Sequence, residues 1–179
     1  MNHLWKFTGP ALVVALALAP TACKRPEKVR VQETVEEGPR MVSAVSMGDS
    51  KVETQLISGF YGIEGGAWRW TGKQFIAVLK TPFGASQRGA TLELNLTVPA
   101  VVIEKLKTVS LTASIDGKPL APETYTQPGP ASYKRDLPAS MLAGESVKVE
   151  FTLDKSWSPG GADQRELGIV ATALSLEPK

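Results

Sequence analysis

From Lys51 onward, apolar and polar positions alternate with a period of two over most of the chain. Val52, Thr54, Leu56 and Ser58 share one phase against Glu53, Gln55 and Ile57, which predicts a first strand running into Gly59. Trp68-Arg69-Trp70 predicts the start of a second, with both indole rings on one face. Gln74 to Lys80 (QFIAVLK) is apolar in both phases and predicts a central strand. Leu92, Leu94, Leu96 and Val98 alternate with Glu93, Asn95 and Thr97; Val109, Leu111, Ala113 and Ile115 alternate with Ser110, Thr112 and Ser114. Asp116-Gly117 then predicts a tight hairpin, because glycine takes a positive φ without steric cost. Lys118 to Leu120 is its short return, Ala131 to Pro138 a short strand, and Val147 to Leu153 a clear one. Leu167 to Leu176 is the last. Loops fall at Thr81 to Gly89, Ala121 to Pro130 and Lys155 to Gln164, with a short helical turn after Pro99. About eight strands in roughly 130 residues, with no long amphipathic helix and no internal repeat, predict an all-β antiparallel sandwich, a closed barrel being the alternative.

The first fifty residues have another texture. Ala11 to Ala19 (ALVVALALA) is an unbroken apolar run, too short for a membrane span of about 20 residues. It suits the core of a secretory signal peptide, with Lys6 ahead of it. Pro20-Thr21-Ala22-Cys23 resembles a bacterial lipoprotein lipobox, with small residues before a single cysteine and Pro20 where leucine is usual. Ordinary cleavage after Ala17-Leu18-Ala19 is the alternative, although Pro20 makes that bond a poor substrate. A lone unpaired thiol is a liability on a secreted chain, and acylation accounts for it. An acylated Cys23 carries enough fatty chain for stable anchoring. Lys24 does not resemble an inner-membrane retention signal, which favours an outer-membrane anchor facing the periplasm. Lys24 to Ser50 is polar and mixed in charge, with only Met41 to Met47 suggesting a stray strand or helical turn. The expected organisation is a signal peptide over 1–22, a lipidated Cys23 with a flexible tether over 23–50, and a sandwich over 51–179.

Composition narrows the chemistry. The chain carries 20 Lys+Arg against 18 Asp+Glu, and of these only Lys6 precedes Cys23. So balanced a charge argues against nucleic acid and against electrostatic adsorption to anionic membranes. The single His is His3 and the single Cys is Cys23. Beyond Cys23 there is no imidazole and no thiol, which excludes Ser-His-Asp and Cys-His catalysis, His-ligated zinc and thiol redox chemistry there.

The chain is organised around Gly59 to Gly72 (GFYGIEGGAWRWTG), which holds Phe60, Tyr61, Trp68 and Trp70. Its only charges are Glu64 and Arg69. Together with DQRELGIVATALSL near the end, this stretch resembles small bacterial β-sandwich modules, similar to jelly-roll or galactose-binding-like sandwiches. Such modules occur appended to cell-envelope and glycosyltransferase chains, and as lone secreted proteins. Their pattern is an early Glu followed by Arg-Trp, a middle Asp-Gly hairpin, and Asp-x-Arg-x-Leu-Gly leading into the final strand. This chain matches it at Glu64, Arg69, Trp70, Asp116, Gly117, Asp163, Arg165, Leu167 and Gly168, over Lys51 to Pro178. The resemblance implies the fold and, by analogy, contact with sugar.

Candidate residues follow from chemistry. Trp68 and Trp157, with Tyr61, are the ligand candidates, since a flat ring stacks on the apolar face of a sugar; Trp157 lies in a Pro-Gly loop, where binding residues concentrate. Each also suits a core or loop-plug role, and Trp70 is expected in the core. Tyr125 and Tyr133 flank the proline-rich loop as weaker candidates. Glu64 with Arg69, and Asp163 with Arg165, are expected to form guanidinium–carboxylate forks that act chiefly as an architectural clasp. Glu64, Asp154 and Asp163 supply acids for a two-carboxylate hydrolase, but no pattern sets two of them apart. Asp154 and Asp163 with loop carbonyls lack the spacing of a calcium site. The expectation is a non-enzymatic, membrane-anchored envelope lipoprotein without cofactor or metal, binding envelope carbohydrate. A scaffolding subunit of an envelope protein complex, without a sugar site, is the alternative.

Overall fold

The computed structural model describes residues 40–179. The expected signal peptide, Cys23 and most of the tether lie outside the described residues. In chain order the elements are β1 (Ala44–Ser46), a 3-10 turn (Ser50–Gln55), β2 (Leu56–Phe60), β3 (Arg69–Lys80), α1 (Ala85–Arg88), β4 (Ala90–Val98), α2 (Ala100–Leu106) and β5 (Val109–Ile115). Then come β6 (Lys118–Pro119), β7 (Glu123–Tyr125), β8 (Gly129–Leu137), a second 3-10 turn (Ala139–Met141), β9 (Ser146–Leu153) and β10 (Val170–Pro178). No helix among them is long and apolar enough to cross a membrane.

All pairing is antiparallel. One sheet runs β8-β4-β10, with β1 and the first residues of β3 sharing the far edge of β10. The other runs β2-β3-β9-β5, with β6 and β7 on the outer edge of β5. β3 belongs to both sheets: Arg69 and Trp70 pair with Ala171 and Val170, whereas Gln74 to Lys80 pair with β9. The sheets face each other as an antiparallel sandwich. Alternate residues of β4, β5 and β9 point into the space between them, from Leu92, Leu94 and Leu96 to Val149, Phe151 and Leu153. Phe75 stacks on Phe151 at 4.8 Å, and Tyr133 from the opposite sheet meets Phe151 edge-on at 6.2 Å.

The crossing of β3 from sheet to sheet depends on Gly168. A Cβ there would overlap Leu153 Cδ1 and stand 2.7 Å from the Gly72 carbonyl oxygen. Without a side chain, Gly168 N donates to Thr71 O at 2.7 Å, and Thr71 N donates to Ile169 O at 2.8 Å. The Asp116-Gly117 hairpin has φ of 48° and 77° at its two turn residues, the primed turn that matches strand twist.

The structure corrects several expectations. Residues 50–55 are a 3-10 turn and not strand. Asp49 accepts a hydrogen bond from Lys51 N and caps the turn, and Gln55 is drawn inside. The Gln55 amide donates to Val42 O and Val78 O and accepts from Val42 N, behaving as a piece of backbone between β3 and the lead-in to β1. The expected tether to Ser50 is too long, because Ala44–Ser46 pairs with Ala173–Ser175 and both Val45 and Met47 are buried. The two strands expected at Trp68–Trp70 and Gln74–Lys80 are one bent strand. The last strand begins at Val170, and Leu167 pairs instead with Trp157.

Candidate functional site

The site is built at the end of the sandwich where β3 begins and β9 finishes. The chain between β2 and β3 folds into a tight turn: Glu64 N donates to Trp68 O at 2.8 Å and Trp68 N donates to Glu64 O at 3.2 Å. Gly65 and Gly66 make this turn with φ of 58° and 67°. A side chain on Gly65 would lie 2.8 Å from Trp68 Nε1, so the indole covers the turn. Between β9 and β10 the chain forms a second excursion. There Trp157 and Leu167 exchange two backbone hydrogen bonds of 2.8 Å, and Gly160 pairs with Asp163 at the tip.

Arg165 joins the two excursions. Its Nη1 donates to Glu64 Oε1 at 2.7 Å and its Nη2 to Asp163 Oδ2 at 2.9 Å. Its Nε and backbone N both donate to Asp163 Oδ1 at 3.0 Å. The guanidinium carbon stands 5.4 Å from the centre of the Tyr61 ring. The Tyr61 hydroxyl donates to Glu166 O at 2.9 Å and accepts from Glu166 N at 3.1 Å. Ser156 Oγ donates to Glu166 Oε1 at 2.6 Å. Hydrogen bonds from Arg165 hold the Asp163 carboxyl below the usual aspartate range, and the two acids in turn push the arginine further up.

Arg69 does not pair with Glu64. It is 2% exposed, and its guanidinium turns inward to Glu53 at 2.5 Å, while Nε donates to Met47 O at 3.0 Å and Nη1 to Tyr61 O at 3.1 Å. The reason is alternation: Arg69 lies between Trp68 and Trp70, so half-burying both indoles on one face sends Arg69 to the other. Its fork therefore fastens the turn before β2 to the start of β3. Trp70 rests against the core. Trp68 and Trp157 are half-buried, one in each excursion, and Tyr61 is held between the excursions by its hydroxyl.

The other candidates separate. Asp154 accepts from Ser110 N at 2.7 Å, at the start of β5, while Asp163 is committed to Arg165. Among the described residues no group of three or more His, Cys, Asp or Glu is arranged to hold a metal ion. Tyr133 is buried with its hydroxyl donating to Ala121 O at 2.8 Å, and Tyr125 donates to Ser132 O at 3.2 Å; burial raises both phenols. An open groove of about 1030 Å³ lies elsewhere, lined by residues 40–44 with Lys80, Thr81, Glu145 and Ser146. Sequence reasoning missed Glu53 and Glu166. Nothing in local spacing marks either, because their partners are 16 and 105 residues away.

No family model and no curated protein match this chain. Several solved structures resemble it distantly. One is a family GH115 4-O-methyl-α-glucuronidase, BtGH115A, with specificity for decorated arabinogalactans, at 11% identity and a TM-score of 0.46 over 91% of this chain. The chain spans 19% of that protein's length. Another is CBM51-2 in complex with GlcNAc and INT domains from Clostridium perfringens ZmpB, at 11% identity and a TM-score of 0.36, covering 77% of this chain and 28% of that one. A third, a CBM4 structure, has 11% identity and a TM-score of 0.34, covering 76% and 85%. Likeness of this degree decides neither ligand nor activity.

Proposed function

We propose that this chain is a non-enzymatic, lipid-anchored envelope protein whose sandwich binds carbohydrate at the end carrying Arg165. The observation that carries this reading is the Arg165 bridge from Glu64 to Asp163, which fixes two tryptophan-bearing turns at one end of the sandwich. Half-exposed rings give flat apolar surface for a pyranose face, and the carboxylate oxygens around Arg165 accept hydrogen bonds from hydroxyls. Because Arg165 already holds those acids, the surface is rigid before any ligand arrives. The same bridge speaks against hydrolysis. A two-carboxylate mechanism needs one acid kept protonated and both acids free to face a substrate, and here Glu64 and Asp163 are both engaged by the Arg165 guanidinium. Anchoring rests on the Cys23 motif alone.

The test is binding of the purified protein to peptidoglycan, lipopolysaccharide and soluble glycans by sedimentation and calorimetry. Trp68→Ala and Trp157→Ala are expected to weaken binding at least about 10-fold each, since every ~1.4 kcal/mol is a decade of affinity. Unchanged affinity in both variants removes the site. Ile57 favours the scaffolding alternative, since it is 55% exposed on β2, which among the described residues pairs on one side only. Absence of any glycan binding, with cross-linking from position 57 to a protein partner, establishes that alternative instead.

A further inference from the structure

Phe83 is 98% exposed, the most exposed of the large apolar side chains among the described residues. It is not on a loose loop. Ala85 N donates to Pro82 O at 3.1 Å, and Gly84 has φ 80° and ψ −7°. That is a type II turn with Phe83 at its first central position and glycine where a positive φ is required. The turn is tied down beside it, where Thr81 N donates to Glu145 O at 2.9 Å. The ring is thus held out into solvent by a well-bonded turn.

The same end of the sandwich receives the chain from the N-terminus. Lys80 N donates to Val42 O at 3.0 Å, and residues 40–44 run beside Lys80, Thr81 and Glu145. Met41 and Val42 are exposed there too, and Lys80 and Arg88 flank the turn. Sixteen residues separate Cys23 from Arg40. Even fully extended they reach at most about 60 Å. An acylated Cys23 therefore tethers the sandwich within that reach of the bilayer, where weak apolar contact is reinforced by high local concentration. The chain's balanced charge gives no electrostatic adsorption, so contact has to come from apolar groups with basic side chains reaching to the headgroups.

We infer that the Phe83 turn, with Met41 and Val42, is a membrane-docking surface that seats the sandwich on the lipid bilayer by the end where the chain enters. The inference rests on the lipid anchor proposed above. β9 runs from Ser146 beside this end to Leu153 at the other, roughly 23 Å away at the usual rise per strand residue. Docked this way, the protein turns Trp68, Trp157 and Arg165 away from the membrane and toward the periplasm. Phe83 is an orienting residue and takes no part in the Arg165 site.

The lone native cysteine makes a clean experiment. In the acylated full-length protein Cys23 is blocked, so Phe83→Cys offers one free thiol, and Ala162→Cys one at the opposite end. Each is labelled with an environment-sensitive fluorophore in the protein reconstituted into phosphatidylethanolamine–phosphatidylglycerol vesicles. The expected result is blue-shifted emission at position 83 that is quenched by nitroxide-bearing lipids, with water-like, unquenched emission at position 162. Introducing Met41→Asp and Val42→Asp together is expected to lose the position 83 signal without releasing the protein from vesicles. Protein that sediments with vesicles but shows water-like emission at position 83 overturns docking and leaves the anchor standing. Protein that does not sediment with vesicles at all overturns both. Replacing a side chain this exposed leaves folding intact, so the labelled protein reports on docking.

Discussion

At the scale of single residues, the most consequential side chain is the charged one placed inside. Arg69 is buried, yet each of its three nitrogens has an acceptor: Met47 O, Tyr61 O and the Glu53 carboxylate. Two of the acceptors are carbonyls, which carry no net charge, and Glu53 is 63% exposed. The fork to Glu53 is therefore screened by water, and its charge contributes less than its short distance suggests. This separates two substitutions. Glu53→Gln keeps a hydrogen-bond acceptor and is expected to lower stability by about 1 kcal/mol or less. Arg69→Met removes three donors, leaves two carbonyls without partners, and is expected to cost about 3 kcal/mol or more. Urea unfolding of both variants decides it. Equal losses would mean that the ion pair, and not the carbonyl anchoring, holds the turn before β2.

At the scale of elements, the excursion between β9 and β10 is held by Arg165 and Asp163 at its tip and by the Trp157–Leu167 pair at its base. The Asp163 carboxyl lies below its ordinary value of 3.8 because Arg165 donates to it. A carboxyl depressed in the folded state contributes stability above its unfolded pKa and loses it as pH falls through the folded one. Amide exchange protection around 163–167 is thus expected to hold from pH 7 to about pH 4 and to fall below that. Asp163→Asn should flatten the profile; a profile that keeps its acid step in this variant would assign the step to another group. Asp163 and Arg165 are only two residues apart, so their pairing is legible in the sequence. Glu64 lies 101 residues from Arg165, and sequence proximity points instead to Arg69 as its partner. Strands β4, β5 and β9 were equally legible, since each buries one face and exposes the other. The 3-10 turn was not, because Val52 and Leu56 fit a strand phase as well as a turn, and the Asp49 cap decides between them.

At the scale of the whole molecule, the sharpest difference between pattern and structure is where the folded body starts. The shift in texture at Lys51 marks the end of polar sequence but not the edge of the fold. β1 has only three residues, too few to show a period, and it lies directly between Ser43 and Met47. Yet removing residues 40–50 takes away far more than a short strand. Val45 and Met47 leave the core, at about 1.5–3 kcal/mol each for full burial. The Gln55 amide loses two of its three bonds, Arg69 loses the Met47 carbonyl, and Leu176 N loses Ser43 O. The far edge of β10 is left unpaired beyond Ala171. Domains of this size are stable by about 5–15 kcal/mol in total, so these losses consume a large share of it. A chain from Lys51 to Lys179 is expected to unfold at markedly lower urea than one from Arg40 to Lys179, or to be insoluble through its open β10 edge. Coincident unfolding midpoints for the two would show that β1 lies on the sandwich without supporting it.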